Sequence, residues 1–242
     1  MASRKEQKEA LRRERQARER AAKEAARRRR LIGYGTAGGL VVAALIVVVV
    51  LLVAGGGGDG KASAELLPDG GNVPDVKVTS LSKAAAAAGC KLDDYRVKVG
   101  ATSEERHTAD PNERIRYQSN PPAGGKHYQI PADDGAYGEA PPDTAVVHSE
   151  EHGRVIIWFK PSLPRSTRAD LKAMFDKQKG YQLLLVPRSR MPYQVAETAW
   201  NRSPEPVGTG RLLGCPRVQD STYDALQDFI EDNRGNGPEP VP

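Results

Sequence analysis

The sequence predicts an α+β domain, with a small mixed sheet and two or three helices, preceded by one transmembrane helix. Two patterns lead to this prediction. An uncharged and strongly apolar run fills residues 31–54. Beyond residue 80, short apolar runs typical of buried strands alternate with amphipathic helical stretches.

Positive charge is concentrated at the amino terminus. Residues 1–30 hold 13 Lys+Arg and 5 Glu, a net charge of +8, whereas the whole chain carries +5, which leaves −3 for the remainder. The basic character therefore belongs to a tail, and nucleic acid is not an expected partner of the folded part. With Leu11 as its one large aliphatic residue, the tail predicts a solvated helix, which is compatible with binding anionic lipid headgroups.

The apolar run of residues 31–54 predicts an uncleaved membrane anchor. A helix of 24 residues is about 36 Å long, enough to cross a hydrocarbon core of about 30 Å. A signal peptide would have a shorter apolar core and a shorter leader. Four arginines, residues 27–30, precede the run and a glycine-rich stretch follows it, so we expect a single-pass plasma-membrane protein with its amino terminus in the cytoplasm.

These patterns divide the chain into four parts. We expect a basic cytoplasmic tail over residues 1–30, a transmembrane helix over 31–54, a flexible tether over 55–80 and an extracytoplasmic α+β domain over 81–239. Membrane lipid, bound through residues 1–54, is the expected partner, and an envelope protein is a second candidate.

The periodicity of the domain predicts its elements in order. We expect helices over residues 82–88, 166–178 and 221–233. We expect strands over 94–99, 114–117, 154–159, 181–186 and 194–200, and a turn-rich loop over 120–125.

Two cysteines, Cys90 and Cys215, lie on the predicted outer side of the membrane. Two cysteines in an oxidising compartment usually pair, so a disulfide is the expected state. A metal site built on two thiolates is the alternative.

All four histidines fall within residues 107–152, and two of them flank a pair of carboxylates in the run His148-Ser-Glu-Glu-His152. On a helix, His148, Glu151 and His152 share one face. On a strand, Glu150 takes the place of Glu151. Either backbone brings two imidazoles and one carboxylate together, a donor set that suits zinc or copper.

We therefore predict one transition-metal site, for copper or zinc, formed by His127, His148, Glu151 and His152. Ligand nitrogens of different residues should lie roughly 3–4 Å apart. His107 is an additional candidate, and Met191, a softer ligand, would favour copper.

Two other interpretations compete with a metal-binding protein. The histidines can instead shape an interaction surface through hydrogen bonds to the backbone. His148-x-x-Glu151-His152 also has the spacing of the inverted zinc-peptidase motif, in which Glu151 would be the base. That motif needs a long helix, and Gly153 with an apolar strand follows at once, so a binding or envelope-accessory role is favoured over catalysis.

Several spaced motifs resemble a bacterial family, the domain of unknown function 3105. They include NPPAGGKHY, GAY, VHSEEHG and the closing GPE, in the order of the family's pattern, over about residues 88–239. The chain departs from that pattern at Ala123-Gly124, where the family usually has Thr-Ser, and at Glu150, where it usually has Leu. The resemblance implies an exported domain behind an amino-terminal anchor, and it implies no settled activity.

Overall fold

The computed structural model describes residues 65–100 and 102–239. The predicted tail, the predicted transmembrane helix and residues 55–64 of the predicted tether lie outside these residues. Within them, no helix is both long enough and apolar enough to cross a membrane.

The described residues form an α+β domain, which confirms the predicted class. The helices with bounds in this part of the chain are α1 (Leu81–Ala88), α2 (Ser103–Arg106), α3 (Asp143–Glu151), α4 (Arg165–Lys177) and α5 (Asp220–Asn233). The strands are β1 (Lys91–Arg96), β2 (His107–Thr108), β3 (His127–Tyr128), β4 (Gly135–Ala136), β5 (Val155–Phe159), β6 (Leu183–Pro187), β7 (Val195–Asn201) and β8 (Thr209–Cys215).

Six strands make one mixed sheet in the order β1-β8-β7-β5-β6-β4. The β1, β8, β7 and β5 neighbours are antiparallel, whereas β6 runs parallel to both β5 and β4. The two remaining strands, β2 and β3, form a separate parallel pair. The predicted mixed sheet is thus confirmed, and the short β2–β3 pair is an addition to it.

The sheet is covered on both faces, because β5 is buried at every position. On one face, Val155, Ile157 and Phe159 join a core with α1, α4 and α5. On the other face, Ile156 and Trp158 pack with Val146 of α3. Since burial on both faces favours continuous apolar strands, the run of residues 154–159 could be identified from the sequence.

Three sequence predictions about elements need correction. Residues 114–117 form no strand, because no strand of the described sheets pairs with them; the Tyr117 hydroxyl donates instead to the Lys126 carbonyl oxygen at 2.9 Å. The described part contains five helices rather than two or three, since α2 and α3 were not predicted as helices. The strand β8 was missed as well: Gly210 and Gly214 interrupt its apolar pattern, and a Cβ at Gly210 would meet the Ala123 carbonyl oxygen.

The predicted disulfide is confirmed. Cys90 follows α1, Cys215 ends β8, and the two are bonded to each other. This pairing removes the alternative of a thiolate metal site, since the described residues contain no free cysteine.

A carboxyl group lies unpaired inside the main core. Glu197 of β7 is fully buried between Ile157 of β5 and Leu213 of β8, and neither of its carboxyl oxygens has a hydrogen-bond partner. Burial raises the pKa of Glu197 well above its usual value, so folding favours the protonated form of this group.

This buried carboxyl predicts a pH-dependent loss of stability. The folded state holds the proton to a higher pH than the unfolded chain, whose glutamate titrates near pH 4.3, so stability falls as the pH rises above that value. Replacing Glu197 with Leu should raise the free energy of unfolding by about 1–3 kcal/mol at pH 8, and by less at pH 5. Urea unfolding at the two pH values measures this, with Glu197→Gln as the isosteric control; an equal gain at both would contradict it.

Candidate metal centre

Helix α3 contributes two side chains to a polar cluster beneath the sheet. Thr144 to Glu151 are all buried, so the helix has no solvent-facing side along this stretch. His148 and Glu151 lie one turn apart on it and therefore project to the same side. Gly153, with a φ of 85°, ends the turn that follows, in a backbone region that glycine adopts freely.

The parallel β2–β3 pair contributes two further histidines. His107 begins β2, His127 begins β3, and the two are direct partners in the register. Partners in a parallel pair project to the same face, so the imidazoles meet, with ring centroids 4.4 Å apart. The His127 ring also lies 4.7 Å from the His148 ring and 5.8 Å from the buried ring of Trp200.

Four residues thus converge, and we call them the His3Glu cluster: His107, His127, His148 and Glu151. One candidate ligand atom from each lies within 4.8 Å of the other three. Nε2 of His127 is 3.1 Å from Nε2 of His107 and 2.9 Å from Oε2 of Glu151. Ligands at zinc-bond lengths on a tetrahedron would lie about 3.3 Å apart, so these two distances are close to that spacing, in a cluster whose ligand atoms lie within 4.8 Å of one another.

Each imidazole of the cluster is oriented by a backbone carbonyl group. Nδ1 of His107 lies 2.7 Å from the oxygen of Ser103, and Nδ1 of His127 lies 2.8 Å from that of Gly125. Nδ1 of His148 lies 2.6 Å from the oxygen of Tyr128. A carbonyl oxygen only accepts, so each Nδ1 carries the proton and donates, and each Nε2 keeps its lone pair when the ring is neutral.

This arrangement leaves acceptor atoms facing one another. In the neutral state, Nε2 of His127 presents a lone pair to Nε2 of His107 and to the Glu151 carboxylate. Oε2 of Glu151 is fully buried, and although Nε2 of His127 is 2.9 Å away, the geometry is not that of a hydrogen bond. A buried carboxylate oxygen without a donor is costly unless a cation sits beside it.

At two residues of the cluster, His148 and Glu151, the electrostatics favour the form that binds a metal. Burial, together with His127 and His152, lowers the pKa of His148 to about 4, so its ring stays neutral. Burial by itself would raise the pKa of Glu151, but contact with His127 and Arg106 outweighs it and the net shift is downward. Neutral imidazole and ionised carboxylate are the metal-binding forms.

The loop that carries His127 fits its position closely. Gly124 has a φ of 83°, and a Cβ there would lie 3.0 Å from the Trp200 ring, so a larger residue would displace the loop. Its amide donates to Oε2 of Glu150 at 2.8 Å. Burial raises the pKa of Glu150 to about 8, against the opposing hydrogen bonds from Thr198 and from that amide. The Glu150 carboxyl therefore fixes the loop rather than facing the cluster.

Of the four residues predicted as ligands, the structure brings His127, His148 and Glu151 together and leaves His152 at the rim. The His152 ring is half-buried and lies 4.5 Å from that of His148, with Nδ1 2.9 Å from the Glu239 carbonyl oxygen. His152 offers no ligand atom to the group, whereas His107 does. Met191 packs in the apolar cluster beneath α3 and does not join the site.

This exchange of residues can be tested directly. Because His107 faces the ligand atoms and His152 does not, His107→Ala should weaken zinc binding at least about 100-fold, beyond the effect usual for a supporting residue. His152→Ala should weaken it about 10-fold or less. Competition with a chromogenic zinc chelator measures both affinities, and a larger effect at His152 would restore the ligand set predicted from local spacing.

The fold and the cluster together define a class: an α+β domain with a largely buried histidine–carboxylate group that could hold a metal ion. Residues 108–241 match the family described as protein of unknown function (DUF3105), and the chain belongs to this family. The matched span contains His127, His148 and Glu151, and His107 lies one residue before it. No curated protein matches the chain. No solved structure matches it either.

Proposed function

We propose that this protein binds one transition-metal ion, zinc or copper(II), through Nε2 of His107, His127 and His148 and one oxygen of Glu151. The buried Oε2 of Glu151, which faces imidazole lone pairs and has no hydrogen-bond donor, is the observation that carries the proposal. A divalent cation at this point would convert three or four mutually repelling acceptors into ligands of one centre.

The donor set favours these metals over others. Three imidazole nitrogens and one carboxylate oxygen suit zinc or copper(II), whereas copper(I) prefers thiolate or thioether sulfur. The described residues offer no sulfur here, since both described methionines pack in apolar clusters and both cysteines are bonded to each other. The anchored Nδ1 atoms supply the outer support that metal-bound histidines commonly have.

The same geometry favours binding over hydrolysis. In the inverted zinc-peptidase motif the glutamate acts as a base beside a metal-bound water. In this protein Glu151 is itself among the candidate ligands, and its other oxygen receives a hydrogen bond from Arg106. A site with four protein ligands is closed in the manner of structural or storage sites, whereas catalytic zinc keeps an open position.

We further propose that the domain lies outside the cytoplasm, attached through the apolar run of residues 31–54, with lipid as the partner of that segment. The Cys90–Cys215 disulfide supports this location, because structural disulfides persist in oxidising compartments. Labelling of single engineered cysteines in the tether, in a background without Cys90 and Cys215, with a membrane-impermeant reagent tests it. If cysteines in the tether were protected and cysteines in residues 1–30 were labelled, the proposed topology would be wrong and the opposite orientation would hold.

Metal content of the full chain, purified in detergent, tests the proposed function. After exposure to equimolar zinc and copper and removal of excess, the wild type should retain about one ion per chain. His127→Gln/His148→Gln should retain none, because two of the four ligands are lost while the side-chain volumes are largely preserved. Equal and substoichiometric metal in both proteins would leave the alternative interpretation, a hydrogen-bonded cluster that shapes an interaction surface.

A further inference from the structure

The guanidinium group of Arg106 is buried beside the cluster, next in sequence to the ligand His107. The Arg106 side chain is 9% exposed, and its Nη1 lies 3.3 Å from Oε1 of Glu151. A buried arginine that contacts a metal-site carboxylate affects how that carboxylate can coordinate. Arg106 is not one of the proposed ligands, so the proposed function does not explain why it is buried here.

Two further hydrogen bonds keep the guanidinium in place. Nε donates to the Gly100 carbonyl oxygen at 3.2 Å, and Nη2 donates to the Pro206 carbonyl oxygen at 3.0 Å. The segment before it is fixed by a capping box, in which the Thr102 hydroxyl accepts from the Glu105 amide and the Glu105 carboxylate accepts from the Thr102 amide. Arg106 therefore cannot swing away from Glu151 without breaking several bonds.

The two oxygens of Glu151 have different surroundings as a result. Oε1 faces the cationic guanidinium, and Oε2 faces the imidazole nitrogens. A metal bound through both oxygens would share Oε1 with the guanidinium, and two positive charges held against one buried oxygen repel each other strongly. The carboxylate is thereby limited to one metal bond.

From this geometry we infer that Arg106 is a specificity-determining residue, which holds Glu151 to one-oxygen coordination and so fixes the site as a four-coordinate centre for zinc-like ions. The inference rests on the proposed function and names the class of metal that the site selects. Manganese, magnesium and calcium require six or more ligands, mostly oxygen, and a carboxylate restricted to one oxygen supplies too few of them.

The positive charge of Arg106 also favours zinc-like ions over manganese and calcium. Its positive charge offsets the negative charge of Glu151, so a dication is attracted less by charge alone and its affinity depends more on the imidazole nitrogens. Imidazole discriminates in favour of zinc and copper over manganese and calcium. Loss of the guanidinium would leave a net negative site, which attracts all dications more equally.

The test compares Arg106→Met with the wild-type full chain, using zinc(II), manganese(II) and cobalt(II) alone as probes. The wild type should give the intense visible bands of four-coordinate cobalt(II), and Arg106→Met should give weaker bands of a higher-coordinate ion. The ratio of manganese to zinc dissociation constants should fall about 10-fold or more in Arg106→Met, on the scale of other outer-sphere effects. Arg106→Lys, which keeps the charge and one donor, should recover part of that ratio.

Arg211→Met is the matched control, because Arg211 is a partly buried arginine paired with Asp94 on the distant strand β1. It should change neither the spectrum nor the ratio. A purely structural role for Arg106 would weaken both metals by the same factor with an unchanged cobalt spectrum, and that result would overturn the inference.

Two other results are decisive. If Arg106→Met does not fold, the wild-type cobalt spectrum still tests the inference, since weak six-coordinate bands would overturn it. Failure of the wild type to take up any of the three metals would overturn the proposed function itself, and the inference with it, whereas metal uptake with unaltered selectivity in Arg106→Met would overturn the inference alone.

Discussion

Zinc should stabilise the folded protein strongly. If the metal binds the assembled cluster and not the unfolded chain, zinc at about 1,000 times its dissociation constant adds about 4 kcal/mol to the free energy of unfolding. For a folded domain of this size, that corresponds to a rise in melting temperature of about 8–16 °C. Circular dichroism melts with and without zinc, and after addition of a chelator, measure the shift.

Variants of the cluster identify the source of this stabilisation. His127→Ala should abolish the shift, because Nε2 of His127 contacts both His107 and Glu151. His152→Ala should keep most of it, since His152 lies at the rim. A shift of the same size in His127→Ala would place the zinc at another site and contradict the proposed ligand set.

Removal of the disulfide should have a destabilising effect of similar size. Cys90 and Cys215 are 125 residues apart in sequence, and in the chain-entropy model a loop of that length stabilises the folded state by about 4–5 kcal/mol. Because residual structure in the unfolded chain reduces this figure, we expect Cys90→Ala/Cys215→Ala to lower the free energy of unfolding by about 2–5 kcal/mol. Guanidinium unfolding of both proteins measures the difference.

The stabilisation by zinc and the stabilisation by the disulfide should be independent of each other. The bond ties the end of α1 to the end of β8, on the face of the sheet that carries the main core, and it does not contact the cluster. Zinc should therefore stabilise the double-alanine variant by as much as the wild type, in line with additivity for separate sites. A zinc effect lost together with the disulfide would show that the cluster assembles only when the bond is present.

Strong local patterns made part of the fold predictable. The strand at Val155–Phe159 is buried on both faces, so its run of apolar residues was sufficient to identify it. The helix Leu81–Ala88 ends at Gly89, which has a φ of 65°, and that glycine was readable as a stop signal. The strand Thr209–Cys215 could not be predicted from its pattern. Its glycines are required because Ala123 and Tyr193, which are distant in sequence, lie too close for a larger side chain.

The candidate site likewise contains residues that local spacing predicts and residues that it does not. His148 and Glu151 were predictable, because helical spacing alone puts them side by side. His152 has helical spacing from His148 as well, but its Nδ1 donates to the Glu239 carbonyl oxygen and the ring lies at the rim of the cluster. His107 enters the cluster only through the parallel pairing of β2 with β3, a contact across 20 residues that no local pattern encodes.

The amino-acid sequence was therefore enough to predict the α+β class, a disulfide between the two cysteines and the region in which all four histidines lie. Residue type and local spacing are enough for these predictions. Two cysteines can form only one disulfide, and helical periodicity relates residues that are a few positions apart. Three features could be seen only in the folded structure: which histidines meet, that Oε2 of Glu151 faces them, and that Arg106 contacts Oε1 of the same carboxylate. Those outcomes depend on the pairing of β2 with β3 and on contacts between distant residues, such as that of His152 with the Glu239 carbonyl oxygen, which tertiary packing sets and local spacing does not.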